Sequence, residues 1–510
     1  MEKNRCPRLM VAAPKSGSGK TMVTCGLLQA FKNRGLQCRA FKCGPDYIDP
    51  MFHKSVLEIE GGNIDTYFLP EDEAGALFWS MAQGADLAVI EGVMGFYDGV
   101  GGISTQASAY DVACVTDTPV VLILDCKGAS LSLAAVVKGF LEFREDSHIR
   151  GVILNRISPM MADRLIPEIE KTGVKVYGCL PECQAATITS RHLGLTLPGE
   201  LQRLREQMQE LAEEVEKRVD VEGLIELAEE YAGGPEVTGE NAVAPEPMGE
   251  SAVAPEPMGE SARKPDPSRE YTDSSNLPVT HPGRSASAFS PSRPVRIAVA
   301  LDDAFCFYYQ ENLKLLEQLG AELAAFSPIR DPELPKGCAG LLLGGGYPEL
   351  HAAELSANSS MLHSVKNRIA RGMPVLAECG GFLYLHEELE TEEGKIFPMA
   401  GVIPARGYPT GKLSRFGYVE LTPYENTKFL KKGESIRGHE FHYWDSTDCG
   451  NGMEAVKPQS TRKWDCMHAE NNLLAGFPHL YYPSNPELIR RWLTACREWE
   501  RQHTGADQEE

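Results

Sequence analysis

The sequence predicts an α/β protein made of two doubly wound halves, each a mostly parallel sheet covered by helices on both faces. Three observations carry this. Short apolar strands alternate with helical patterns near both ends of the chain, as in sheets buried on both sides. A Gly/Ser/Lys loop joins the first strand to the first helix. A Pro/Glu-rich repeat separates the two alternating stretches.

In the N-terminal half, strands are predicted at Arg8–Ala13, Leu87–Ile90, Val120–Leu124 and Gly151–Leu154. The first runs into Ala13-Pro14-Lys15-Ser16-Gly17-Ser18-Gly19-Lys20-Thr21 and then a helical stretch. Strand, loop and helix in that order make a phosphate loop. Gly17 and Gly19, with Ser16 and Ser18 between and before them, let backbone N–H groups approach phosphates. Lys20 adds a point charge, and the Thr21 hydroxyl suits Mg²⁺. Pro14 stands where the usual pattern has its first glycine. Lys15 gives K-x-G-x-G-K-T, the deviant loop of partition and septum-site ATPases, and with it a rival reading as a nucleotide-switched binding module.

Downstream, Phe41-Lys42-Cys43-Gly44-Pro45-Asp46-Tyr47-Ile48-Asp49-Pro50 brackets an aromatic with two acids in a Pro/Gly-bounded loop. The strand at Leu87–Ile90 delivers Glu91 into Glu91-Gly92-Val93-Met94-Gly95-Phe96-Tyr97-Asp98-Gly99. A carboxylate at the C-terminal end of an apolar strand faces the crevice where α/β sheets bind ligands. Any one of these acids alone reads as an Asx cap. Several beside a phosphate loop favour Mg²⁺ coordination and substrate orientation.

Residues 200–231 carry helical spacing (Leu201, Leu204, Met208, Leu211, Val215) with dense Glu, which predicts a solvated amphipathic helix. The ten-residue repeats GENAVAPEPM, GESAVAPEPM and GESARKPDPS then mark a linker too polar to bury a face. The division expected is 1–231, a linker at 232–293 that is disordered or extended, 294–502, and an acidic tail at 503–510.

The C-terminal half predicts strands at Arg296–Leu301, Gly340–Leu343 and Pro374–Ala377. In VLAECGGFLYL, Cys379 follows a strand and precedes Gly380-Gly381 and a helical run. A sharp strand-to-helix turn exposes a nucleophile at a helix N-terminus, where the dipole lowers the thiol pKa and N–H groups can hold an oxyanion. The Gly344–Gly346 loop in LLLGGGYPEL is suited to a second oxyanion donor. A cysteine nucleophile needs a base, and twelve histidines compete. His439 and His442 in Gly438-His439-Glu440-Phe441-His442 lack the H-E-x-x-H spacing of a zinc site.

The first half resembles the cobyrinate a,c-diamide synthases and, more distantly, dethiobiotin synthetase, through the loop, FKCGPDYIDP, EGVMGFYDG, PVVLILD, GVILNR and the RHLGL of Arg191–Leu195. The second resembles the flavodoxin-like class I glutamine amidotransferases of the cobyrinate and cobyrate synthase branch. The resemblance implies ATP-dependent activation of a carboxylate as an acyl phosphate, then amide formation with ammonia drawn from L-glutamine. It implies phosphate and Mg²⁺ handling by Lys20 and Thr21, a metal-ligand role for Glu91 and Asp46, and Lys42 near the transferred phosphoryl group. It also implies that Tyr47, Asp46, Asp49 and Asp98 line the corrinoid and phosphate site, and that Asn155 reads the nucleotide base. In the late motif Ala475-Gly476-Phe477-Pro478-His479-Leu480-Tyr481, His479 matches the histidine that activates Cys379, with Gly346 and Gly380 as oxyanion donors. His439 is the reserve. No His-Pro-Glu supplies an acidic third member, so what orients His479 stays open. Cobyrinate is the expected acceptor, with hydrogenobyrinate and nickel-sirohydrochlorin as alternatives.

Composition adds limits. The 510 residues carry 72 acids against 50 Lys and Arg, a net −22, which argues against a general nucleic-acid binder. Much of this lies in 200–230 (11 acids, 4 bases), in 234–292 (9 and 4) and in the last five residues, leaving the rest close to neutral. No apolar run reaches the roughly 18 residues of a membrane span. The start lacks a signal peptide's apolar core, and the 14 cysteines include no C-x-x-C pair. A cytoplasmic enzyme with reduced thiols is expected, and a homodimer is compatible with the pattern.

Overall fold

The computed structural model describes residues 5–182, 198–234 and 293–503. The repeat, the Arg191–Leu195 motif and residues 504–510 of the acidic tail lie outside the described residues. The residues on either side of 236–292 form one compact unit.

The N-terminal half is built on a seven-stranded sheet. Its order is Gly61–Ile64, Cys38–Cys43, Leu87–Glu91, Arg8–Ala12, Val120–Asp125, Ile149–Asn155 and Lys175–Leu180, with every pairing parallel. The apolar runs of these strands split residue by residue between two cores. Leu9, Val11, Val121, Ile123 and Ile153 enter one, and Met10, Ala12, Leu122, Leu124 and Leu154 enter the other. This period-two division is why the strands read as continuous apolar runs.

Helix Lys20–Asn33 covers the first core together with Pro198–Arg218 and Val221–Glu230. The single solvated helix expected over 200–231 is therefore two helices with a packed face. Asp220 breaks it, its carboxylate accepting from the Gly223 N–H at 2.9 Å as an N-cap. Leu204, Met208, Leu211 and Val215 are buried, and a Cβ on Gly26 would lie 2.9 Å from Val215 Cγ2. Glycine at that position permits the close helix contact.

The C-terminal half holds a five-stranded parallel sheet ordered Ala321–Phe326, Val295–Ala300, Gly340–Leu343, Val375–Glu378 and Leu473–Gly476. It also holds a five-stranded antiparallel sheet ordered Lys463–Cys466, Met453–Val456, Arg415–Pro423, Ile436–His442 and His479–Leu480. The short last strand pairs His479 directly with His439.

The halves interlock through polar and aromatic contacts. The Asn63 N–H donates to Glu311 Oε1 (2.9 Å), Tyr418 Oη donates to Asp65 Oδ2 (2.9 Å), and Arg437 Nη1 donates to the Tyr67 carbonyl (2.6 Å). Phe68 stacks on Tyr481 with centroids 4.6 Å apart. Such an aromatic pair contributes about 0.5–1.5 kcal/mol beyond its area burial. No helix among the described residues is long and apolar enough to cross a membrane.

Candidate active sites

The phosphate loop is held open from strand ends that the chain brings in from far away. Gly17 (φ 76°) and Gly19 (φ 92°) occupy left-handed backbone that favours glycine. Asn155, ending its strand, donates from Nδ2 to the Ser18 carbonyl at 2.9 Å. A Cβ on Gly19 would lie 2.3 Å from that nitrogen. Arg156 joins the loop to its neighbour strand, with Nη2 on the Gly17 carbonyl (2.8 Å) and a two-point contact to Asp125 (2.9 and 2.6 Å). Sequence reasoning assigned no role to Asp125 or Arg156, although both stand in the quoted strand motifs. Lys15 is exposed, with Nζ 4.0 Å from Asp125 of its own chain. Ser16 is exposed on the loop and Ser18 is buried in it.

Behind the loop lies a buried charge cluster. Thr21 Oγ1 donates to Glu91 Oε1 at 2.6 Å. Lys42 Nζ donates to the same oxygen at 2.7 Å, to Asp49 Oδ2, and lies 3.8 Å from Asp46 Oδ2. Burial pulls the Lys42 ammonium down, but Glu91, Asp49 and Asp46 outweigh it and hold its pKa well above the ordinary value. Glu91, fully buried and close to Asp49, is pushed up to about 7. Lys20 donates to the Met94 carbonyl, and burial together with Lys42 lowers it to about 8. His53, which stands in no motif, has Nε2 3.8 Å from Glu91 Oε2, and burial depresses it to about 4.

The remaining acids are partly structural. Asp46 Oδ1 accepts from the N–H groups of Ile48 (2.9 Å) and Asp49 (3.2 Å), forming an Asx turn at the start of helix Ile48–Ser55. Its other oxygen faces Lys42. Asp98 is exposed and accepts from the Gly95 N–H at 3.0 Å. Tyr47 turns its ring toward the C-terminal half, stacked on Phe307 (5.4 Å) and tilted against Tyr309 (4.4 Å) and His479 (5.1 Å).

The second site is built on a strained turn. Cys379 sits between strand Val375–Glu378 and helix Gly380–Tyr384 at φ 49° and ψ −102°. For a non-glycine residue such geometry costs on the order of 1–3 kcal/mol and persists where the fold enforces it. Here the Cys379 N–H is tied to the Gly476 carbonyl at 2.8 Å. A Cβ on Gly380 would lie 3.1 Å from the Gly346 nitrogen, so the two expected oxyanion donors are neighbours. The Gly344 N–H is already committed to Tyr308 Oη at 2.8 Å. His479 lies against the same loop: a Cβ on Gly345 would approach its Cε1 to 2.3 Å.

Burial shifts both groups of the second site toward their uncharged forms. Cys379 is buried rather than exposed, and that burial, with Glu349, Glu440 and Glu378, raises its thiol, the reverse of the lowering expected from a helix N-terminus. Burial, with His439 and His442, lowers His479 to about 3. Among the described residues Nδ1 of His479 has no hydrogen-bond partner. The ring packs against Gly345 and touches Tyr47 instead. His439 is buried opposite His479 and edge-on to Phe416 and Tyr418.

A phosphate loop backed by a Lys–carboxylate cluster can hold a nucleotide and transfer a phosphoryl group. A strained Cys beside a His and adjacent glycine N–H groups can attack an amide. Both halves match domains of known proteins. Residues 9–195 match the CobQ/CobB/MinD/ParA nucleotide binding domain, and residues 296–486 match the CobB/CobQ-like glutamine amidotransferase domain. Cobyrinate a,c-diamide synthases from Caldanaerobacter subterraneus and Listeria innocua are 34% and 35% identical to the chain, each over 96% of it and over 98% and 99% of their own lengths. The cobyrinate a,c-diamide synthase of Salmonella typhimurium is 35% identical over 96% of the chain and 98% of its own length. With both domains matched and the relatives aligned nearly end to end, the chain belongs to the cobyrinate a,c-diamide synthase family and is a glutamine-dependent amide-forming enzyme.

Proposed function

We propose that the chain uses ATP and glutamine to convert the a and c carboxylates of cobyrinate into amides, a step of cobalamin biosynthesis in the cytoplasm. The observation that carries this is the joining, in one compact unit, of the phosphate loop with its Lys42–Glu91 cluster and the strained Cys379 turn. The division follows the notional boundaries: an amidoligase at 1–231, a linker, and an amidotransferase at 294–502.

In the amidotransferase, Cys379 Sγ attacks the glutamine side-chain carbon, and His479 takes the thiol proton. The oxyanion forms against the N–H groups of Gly346 and Gly380. As the C–N bond breaks, His479 returns the proton to the leaving nitrogen, giving ammonia and a thioester. Water then releases glutamate and restores the thiol.

In the amidoligase, the backbone of residues 15–19 and Lys20 hold the ATP phosphates, and Asn155 reads the nucleotide base. Lys42 neutralises the γ-phosphoryl group as it passes to a substrate carboxylate oxygen, ADP leaving. Ammonia attacks the acyl carbon, the C–O bond to phosphate breaks, and an acidic residue takes the surplus proton. Asp46, Asp49 and Asp98 border the acceptor. The donors fit Mg²⁺: Thr21 and Glu91 present hard oxygens beside the loop, and Glu91 Oε2 is buried without a hydrogen-bond partner among the described residues. Asp46, with one oxygen in the Asx turn, has the other left to contribute. Bound with ATP, the ion would neutralise phosphate charge.

The test is amide formation by the purified chain from ATP and ammonium with cobyrinate, hydrogenobyrinate or nickel-sirohydrochlorin, read by mass spectrometry. Two amides on cobyrinate are expected. Preference for another macrocycle would change the substrate, and no amidation of any would refute the reading.

A further inference from the structure

Tyr47 belongs by sequence to the nucleotide-binding half and by contact to the other. Its ring is in the aromatic layer formed with Phe307 and Tyr309, and it touches His479. Its two acidic neighbours face the opposite way. Asp49 contacts Lys42 Nζ, and Asp46 lies 3.8 Å from it.

The segment between these contacts is braced as one piece. Asp46 Oδ1 bonds the N–H groups of Ile48 and Asp49, which locks the turn. The Asp46 carbonyl accepts from Asn63 Nδ2 at 2.7 Å, and the Gly44 carbonyl accepts from the same group at 2.8 Å. The Asn63 N–H in turn donates to Glu311 Oε1 of the C-terminal half. A turn held this way moves as a unit.

We infer that Tyr47 is a positioning residue that couples glutamine hydrolysis to occupancy of the phosphoryl-transfer site. The inference rests on the functional reading above. While Lys42 is engaged by Asp49, the Tyr47 ring confines His479 against Gly345. When the substrate carboxylate accepts the phosphoryl group, Lys42 shifts its contacts to the new anion and the Asp46–Asp49 turn relaxes. Tyr47 follows the turn, and the His479 ring, still seated against Gly345, is free to turn toward Cys379. Glutamine is then hydrolysed when an acyl phosphate is present to consume the ammonia.

The test compares unmutated enzyme with Tyr47→Ala, Tyr47→Phe and Phe307→Ala. Two ratios are read: glutaminase rate with ATP and cobyrinate over the rate without them, and glutamate formed per amide formed. A purely structural role would lower all rates together and leave both ratios unchanged. The inference expects Tyr47→Ala to cut the stimulation ratio about fivefold or more, the lower end of ordinary coupling between sites. The glutamate-to-amide ratio rises with it. Tyr47→Phe, which keeps the ring, retains both ratios. Phe307→Ala, which removes the ring stacked behind Tyr47, shifts them in the same direction as Tyr47→Ala and decides the matter should that variant not fold. Unchanged ratios in both alanine variants, with amidation by the unmutated enzyme intact, would overturn the inference alone. Absence of amidation in the unmutated enzyme would overturn the functional reading and this inference with it.

Discussion

Adding one methyl group at Gly345 should disable glutamine use while sparing the other half of the enzyme. The Cβ of Gly345→Ala would lie 2.3 Å from His479 Cε1, whereas ordinary contact begins at 3.4 Å. The backbone there is not in the left-handed region, so the perturbation is steric rather than conformational. His479 is buried on a paired strand and in ring contact with Tyr47, so the imidazole must shift by about 1 Å. A misplacement of about 1 Å in a catalytic group costs on the order of 10²-fold in rate. That corresponds to about 2.7 kcal/mol of barrier. The assay is glutamine hydrolysis in the presence of ATP and acceptor, beside amide formation from ammonium. Glutamate production should fall about 100-fold with the ammonium reaction close to unmutated enzyme. Overpacking should also lower stability, by about 1–3 kcal/mol. Folded Gly345→Ala protein with glutaminase within about threefold of normal would refute the assignment of His479 as the base.

Two further outcomes follow from buried charge. Lys42→Met removes the ammonium that Glu91 and Asp49 contact. Breaking a buried pair this way costs about 3–5 kcal/mol. The urea midpoint should drop sharply and amidation from ammonium should vanish; an unchanged midpoint would contradict the cluster. Asp65 is pushed up to about 6 by burial, against the hydrogen bonds it accepts from Tyr418, Tyr67 and Phe68. A carboxyl with a raised folded pKa contributes stability that is full below its ordinary value of 3.8 and lost as pH climbs through 6. Asp65→Asn should therefore gain on the unmutated protein between pH 4 and pH 8, by about 2–3 kcal/mol at most. Denaturation midpoints at the two pH values check the sign, and a relative loss at pH 8 would refute it.

What the sequence made legible was what local pattern encodes. The strands at Arg8–Ala12 and Val120–Asp125 are apolar on both faces because both faces meet a helix layer, so their runs stand out. Cys379 and the phosphate loop were readable because each depends on residues adjacent in sequence. The antiparallel sheet was not read. Arg415–Pro423 is only partly buried, and part of its cover, such as the Asp65 contact on Tyr418, comes from the other half. Arg156 and Asp125 brace the phosphate loop across 31 residues, and no periodicity marks such a pair. The packing of His479 against Gly345 and Tyr47 is likewise a product of the assembled fold. A search for an acidic triad member in sequence had nothing of that kind to find. Asp46 reads locally as an Asx cap, and one of its oxygens is that cap, while the other faces Lys42, a neighbour that only the fold supplies.

The central claim is that one chain holds two separable sites, one that frees ammonia and one that uses it. Cys379→Ser tests it most directly, with amide formation on cobyrinate measured from glutamine and from ammonium in parallel. The expected result is loss of the glutamine-supported reaction with the ammonium-supported reaction intact. Loss of both in folded protein, or persistence of the glutamine-supported reaction, would contradict the account.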